Sequence, residues 1–210
     1  MKKLFLILTI LITNLTLGFS QQKQTKDPMN TALLIVDIQN DYFDKGTMTL
    51  VGSEQASENA RLILDRFRAE SLPVIHIQHI AKSPAATFFL PNTVGAEIHK
   101  NVKPLVQEKV IVKHYPNSFR ETALLEYLKA NNIRNLVICG MMTHMCIDAT
   151  TRAAKDLGFT CVLIGDACAT RDLEVNGQKV QASEVQKSFL AALNSYYADV
   201  ITTKQYLEVK

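Results

Sequence analysis

Tryptophan is absent from this sequence, glycine and proline number only eight and six in 210 residues, and no internal repeat or low-complexity tract is present. Those absences exclude collagen-like, solenoid and disordered architectures. Four cysteines stand at positions 139, 146, 161 and 168, none in C-x-x-C spacing, which argues against a structural zinc site. No G-x-G-x-x-G follows the first apolar run, so a dinucleotide-binding oxidoreductase ranks last among the readings of this chain. Excess positive charge is scarce too. The formal net charge of +3 includes Lys2 and Lys3, falls to +1 without them, and forms no basic patch. Nucleic acid and anionic membrane surfaces are therefore poor partners.

What is present is an ordinary globular composition, 47% hydrophobic and 20% charged, sufficient for one domain with a real core. The amino terminus stands apart. MKKLFLILTILITNLTLGFSQQ opens on Lys2 and Lys3, continues as an apolar run from Leu4 to Ile12 broken once by Thr9, and closes with Gly18 and Ser20 flanking Phe19. That is the layout of a secretory signal peptide. The alternative is an uncleaved anchor, but the run is short for a membrane span and Thr13, Asn14 and Thr16 follow it. The expected organisation is a signal peptide over 1–20, a polar tail over 21–29 and one domain over 30–210. Export is to the periplasm or the cell exterior, with no stable membrane anchor and no lipoprotein cysteine at the cut.

Within the domain, strand-like and helix-like segments alternate. The run 31-TALLIVDIQ-39 is almost continuously apolar, as a strand buried on both faces requires. Further strands are expected at 73–80, 109–113, 134–140, 159–167 and 199–202. Helical spacing of apolar residues predicts helices at 53–71, 119–131, 143–157 and 180–197. This alternation implies an α/β fold with a parallel sheet covered on both faces, in which ligands bind beyond the carboxyl ends of the strands. The segment 81-AKSPAATFFLPNTVG-95 is a long connection with two prolines and the pair Phe88–Phe89. It is expected either to cover a site, to join a subunit interface, or simply to pack on its own domain.

Three chemical groups fall at strand ends. Asp37 ends the first apolar run, and a carboxylate there is costly to bury unless paired. Lys113 ends KVIV, where a lysine alone would most simply reach solvent. Cys146 follows the strand RNLVICG in the stretch 138-ICGMMTHMCIDATTRAAKDLG-158. With Thr143 as N-cap, Cys146 falls in the first helical turn, where free N–H groups and the helix dipole favour thiolate over thiol. A cysteine at such a position is more often a core residue. An acid, a base and a thiol together at the ends of three strands make a candidate site.

These residues carry a resemblance. LLIVDIQNDY around Asp37, VIVKHYPNSF around Lys113 and VICGMMTHMCIDATTRAA around Cys146 resemble, in order and spacing, the isochorismatase-like cysteine hydrolases, which include the nicotinamidases. The resemblance covers about residues 30 to 207. It implies a three-layer α/β/α sandwich with a six-stranded parallel sheet, Rossmann-like, and a homo-oligomer, either dimer or tetramer. It implies Asp37, Lys113 and Cys146 as a catalytic triad, the backbone N–H groups of Met142 and Cys146 as an oxyanion hole, and a cis peptide between Met141 and Met142. The implied activity is cleavage of a C–N, amide-type bond in a small-molecule substrate through a Cys146 thioester. Asp37 serves as base for the thiol and later for the water, and no cofactor takes part. The nicotinamidase metal cluster of one Asp and several His is not matched. His76 and His79 lie three apart on a strand and face opposite sides, so no metal is expected. Phe43, Phe119 and His144 are candidate substrate contacts, although phenylalanines so placed are more often core than ligand contact. Asn40 and Asp41 are expected to brace the turn after Asp37, and Asn117 and Ser118 the turn after Lys113. The rival reading is a catalytically silent small-ligand binder or a redox sensor that uses Cys146, and in an oxidising compartment pairing of Cys139 or Cys168 with Cys146 would inactivate a hydrolase.

Overall fold

The structure is a computed structural model and describes residues 30–208; the expected signal peptide and polar tail lie outside the described residues. Six strands form one parallel sheet: β1 (Thr31–Val36), β2 (Val74–His79), β3 (Lys109–Lys113), β4 (Asn135–Met141), β5 (Thr160–Ala169) and, after a small hairpin of β6 (Leu173–Val175) and β7 (Gln178–Val180), β8 (Asp199–Ile201). Their spatial order is β3-β2-β1-β4-β5-β8. Central β1 shows why its sequence is so apolar. All six of its residues are buried, with Leu33 and Ile35 in one core cluster and Ala32, Leu34 and Val36 in the other.

Helices cover both faces. On one, α1 (Ser53–Ala69) buries Ala56, Ala60, Ile63, Leu64 and Phe67 against β1, β4 and β5, and α5 (Thr203–Glu208) adds Tyr206 beside Phe67. On the other lie α2 (Leu124–Ala130), α3 (Asp148–Asp156) and α4 (Ala182–Asn194), which contribute Leu124, Leu128, Ala154 and Leu193. The three-layer sandwich and six-stranded parallel sheet are those the resemblance implies.

The pair β1–β4, in register from Thr31↔Asn135 to Val36↔Gly140, is where strand order reverses, so the chain leaves the two carboxyl ends in opposite directions and opens a crevice between them. Gly140 makes the closeness of these strands possible. Its φ is +134°, and a Cβ built there would sit 2.0 Å from the carbonyl oxygen of Val36. Just there the β4–β5 pairing slips from Ile138↔Leu163 to Gly140↔Cys168, a bulge that turns the end of β4 toward the site.

Several sequence expectations need correction. The helix expected over 119–131 begins only at Leu124, because Glu121 takes a left-handed φ of 54° and the Thr122 hydroxyl bonds back to Ser118 O at 2.6 Å. The helix expected over 143–157 opens with a π-helical turn, Thr143–Ile147, and becomes α-helical only from Asp148. Thr143 is not its cap. That hydroxyl instead lies 2.6 Å from Gln186 Oε1 and 3.1 Å from Ala169 O, tying the turn to α4 and β5. The β6–β7 hairpin is an addition to the expected elements, although 173-LEVNGQKV-180 carries an Asn-Gly pair whose φ values of 52° and 72° are those of a tight type I′ turn.

Gly140→Ala is predicted to cost about 3 kcal/mol in urea unfolding, because both the φ and the backbone neighbour resist a side chain. Gly177→Ala, also at positive φ but with nothing within 4 Å, is the control and should cost about 1 kcal/mol. Equal unfolding midpoints for the two variants would contradict the assigned role of Gly140.

Candidate active site

Asp37 follows β1 directly and adopts φ 51°, a left-handed conformation that a few non-glycine residues, aspartate among them, tolerate. Lys113 is the last residue of β3, two strands away, and reaches across the end of β2. Both side chains are 0% exposed, and Lys113 Nζ lies 2.7 Å from Asp37 Oδ2. The lysine therefore does not run out to solvent, as it would most simply do alone. The contact is an ion pair rather than a well-aligned hydrogen bond. Nζ donates to Pro116 O at 2.8 Å, and both carboxylate oxygens lack an aligned donor among the described residues. Burial opposes the ammonium, but the Asp37 carboxylate outweighs it and raises the Lys113 pKa, so the cation persists.

Cys146 lies in the π turn that follows the cis peptide Met141–Met142 and is buried. One donor atom each of Asp37, His79 and Cys146 falls within a mutual 4.8 Å. The electrostatics differ from what a helix start alone implies. Burial pushes the thiol pKa up, the Asp37 charge pushes it further, and Lys113 only partly offsets them. The resting group is thus a thiol rather than a standing thiolate. All four cysteines are free and buried.

His79 is the last residue of β2, and its sequence position suggests only half of a poor chelating pair. The structure places its Nδ1 3.9 Å from Asp37 Oδ2. The rule that picks out Asp37 and Lys113, a polar residue at the end of an apolar strand, applies equally to His79. His76 does face away, with Nε2 2.9 Å from Glu108 Oε2, which also pairs with Arg68. Tyr42 is a second addition to the expected site. It is buried, which raises its pKa, and the nearby Asp37 charge raises it further.

A cleft of about 320 Å3 opens at His79, lined also by the 81–89 segment including Phe88 and Phe89, and by His114 and Tyr115. The long 81–95 connection is pinned over this edge. Phe89 is fully buried, its N–H donates to Asp41 Oδ2 at 2.6 Å, and its carbonyl accepts from Ala81 N at 2.9 Å. Asn40 holds the far end of the loop through Val94 O at 2.8 Å. The side chains of the two residues expected to brace the Asp37 turn brace the covering loop instead, and Asp41 also holds Thr47. Asn117 and Ser118 brace the turn after Lys113, through Phe119 N and Thr150 Oγ1.

The proposed substrate contacts scatter. Phe43 is buried, stacks on His99 with centroids 3.6 Å apart, and lines a separate cleft with Asn40 and Asp41. Phe119 packs against the core cluster that contains Cys146 and stacks on Phe159 at 6.0 Å. His144 is half-buried on the exposed side of the π turn, with Nδ1 2.5 Å from Thr170 Oγ1. Among the described residues, Asp37, His79 and Cys146 are the one group whose donor atoms converge as metal ligands would. That set does not fit a cation, because the Lys113 ammonium already neutralises the carboxylate and would lie against the ion.

With this geometry in view, comparison with known proteins is informative. A family model described as the isochorismatase domain matches residues 31–205. The isochorismatase family protein YddQ of Bacillus subtilis (strain 168) is 51% identical over 180 residues, covering 86% of this chain and 100% of that protein. A streptothricin hydrolase of Streptomyces noursei is 32% identical over 80% of this chain and 58% of its own length. The crystal structure of an isochorismatase hydrolase from Oleispira antarctica superposes with a TM-score of 0.82 at 47% identity, covering 85% of this chain and 96% of that one.

The raised thiol pKa has a direct consequence. Alkylation of Cys146 by iodoacetamide should keep rising with pH beyond the ordinary thiol range of about 8.5, without an early plateau. Asp37→Asn removes the anion that opposes ionisation and leaves Lys113 in place, so the thiol pKa falls. Alkylation at neutral pH should then speed up on the order of tenfold or more, because a larger fraction of the sulfur is thiolate. Slower alkylation in Asp37→Asn, followed by peptide mass spectrometry, would contradict these electrostatics.

Proposed function

The chain belongs to the isochorismatase family of hydrolases, and from that premise we propose that it cleaves a C–N, amide-type bond of a small molecule through a thioester on Cys146. The observation that carries this reading is the convergence of a buried carboxylate–ammonium pair, 2.7 Å apart, on a buried thiol at the carboxyl edge of the sheet. A binder has no need of all three groups. Burying an ion pair offers little stability in itself, so its retention points to chemistry. The name of the streptothricin hydrolase relative supports hydrolysis as the reaction class.

The chemistry follows from the electrostatics. A thiol held protonated needs a base, and Asp37 accepts its proton as sulfur attacks the carbonyl carbon. Lys113 then faces both a neutral carboxyl and the developing thiolate, and its charge stabilises the sulfur as that on Asp37 disappears. The carbonyl oxygen becomes an oxyanion and takes hydrogen bonds from the backbone N–H groups of Met142 and Cys146. The C–N bond breaks as Asp37 returns its proton to the leaving nitrogen. Water then cleaves the thioester. The cleft of about 320 Å3 lies at the small end of ligand sites, and its rim of Phe88, Phe89 and Tyr115 suits a compact, flat substrate.

A screen of small primary amides and ureides, read as released ammonia or amine, tests this function. Cys146→Ala should abolish turnover. Asp37→Asn, assayed at a temperature where the variant is folded, should lower kcat by about 10²–10⁴, because the isostere keeps the shape and loses the base. Turnover that survives in Cys146→Ala, on any substrate the wild type accepts, would overturn the mechanism.

A further inference from the structure

We propose that His79 is the base that activates water for hydrolysis of the Cys146 thioester, leaving Asp37 to handle the proton of the thiol and of the leaving nitrogen. The inference rests on the cysteine-hydrolase reading and adds a catalytic residue to it.

The access route motivates it. Asp37, Lys113 and Cys146 are all buried and none of them lines the cleft, whereas His79 does. His79 is the cleft-lining residue that also reaches the buried pair, with Nδ1 3.9 Å from Asp37 Oδ2, so water entering by that cleft would meet it first. The separations suit one water. At 3.9 Å, His79 Nδ1 is too far from Asp37 Oδ2 for a direct hydrogen bond. The Asp37, His79 and Cys146 atoms all lie within 4.8 Å of one another, a spacing that two hydrogen bonds through a shared water can bridge.

His79 is also held in place. Gln39, fully buried, accepts from His79 N at 2.7 Å and donates to His79 O at 2.9 Å and to Ala96 O at 2.8 Å. One side chain thereby fixes both backbone groups of the histidine and ties them to the far end of the covering loop. The ring lies beside buried Phe89, with centroids 5.7 Å apart.

The groups facing the ring come from every neighbouring strand end: Asp37 after β1, Lys113 and His114 from β3 onward, and Cys146 from the π turn; Lys82 and Tyr115 share the cleft. Burial is the largest influence and lowers the His79 pKa from its ordinary value. Asp37 opposes that shift, and Lys113 and His114 reinforce it. The imidazole is then neutral at neutral pH, the form a base requires. In the step itself, His79 takes a proton from water as the oxygen bonds to the thioester carbon. The tetrahedral oxyanion collapses, the C–S bond breaks, and the Cys146 thiolate leaves beside Lys113. The proton on His79 passes to that thiolate by way of Asp37, which restores the thiol and releases a carboxylic acid.

The test uses p-nitrophenyl acetate as an activated acyl probe with the full domain. Stopped-flow nitrophenol release separates acylation from deacylation, and intact mass reports acetyl-Cys146. In His79→Gln and His79→Asn the burst rate should stay within about threefold of wild type while the steady-state rate falls on the order of 10²-fold. Acetyl-enzyme should accumulate, and added imidazole, small enough for the cleft, should restore turnover. The wild-type deacylation rate should rise with pH through a midpoint below about 6.5, and both variants should lose that limb. Burst and steady state falling together without imidazole rescue, or deacylation unchanged in both variants, would overturn the role of His79 alone. Failure of the wild type to form acetyl-Cys146 would overturn the cysteine-hydrolase reading and this inference with it.

Discussion

The buried pair of Lys113 and Asp37 is the interaction on which the rest of the site depends. Neither side chain touches solvent, and the charges lie 2.7 Å apart. Removing one partner of such a pair typically costs about 3–5 kcal/mol, because the other is left charged and unpaired. The pair also dictates architecture. It joins the ends of β1 and β3 across the intervening β2, so the three strands must finish level with one another. The left-handed φ of Asp37 and the close approach of Gly140 to Val36 belong to that same convergence.

The pair also sets the character of the thiol. An isolated cysteine at a helix start would ionise early, whereas Cys146 is buried beside a carboxylate and keeps its proton. Under the proposed mechanism this couples proton transfer to attack: the thiolate would form only when a substrate carbonyl is at hand, which would shield the sulfur from oxidants between turnovers. The π turn and its ties to Gln186 and Ala169 hold the sulfur at this spot. The Phe89 loop, pinned by Asp41, lines the cleft at His79.

Much of this is legible in the sequence, for identifiable reasons. Continuous apolar runs mark strands covered on both faces, and polar residues at their ends point to Asp37, Lys113 and Cys146 without any geometry. The burial of Lys113 is not legible, because a terminal lysine finds its partner only across the sheet. The π turn escapes because hydrophobic periodicity does not distinguish an i→i+5 turn from the α-helix it opens. His79 escapes for a different reason. Weighed as a metal ligand it looks poor, and the alternation that separates it from His76 hides its meeting with Asp37. Phe43 shows the converse: an aromatic soon after Asp37 in sequence, it turns instead onto His99 and a separate cleft.

The most direct measurement is the protonation state of Cys146 in the free domain, followed by carbon-13 NMR of labelled cysteine across pH, with Cys146→Ser to assign the signal. A thiol signal at neutral pH that gives way to thiolate only well above the ordinary cysteine range is the expected result, and it makes Asp37 the necessary base. A thiolate already present at neutral pH would contradict the burial and charge balance derived for Asp37, Lys113 and Cys146, and would assign activation of the sulfur to Lys113 and the turn itself.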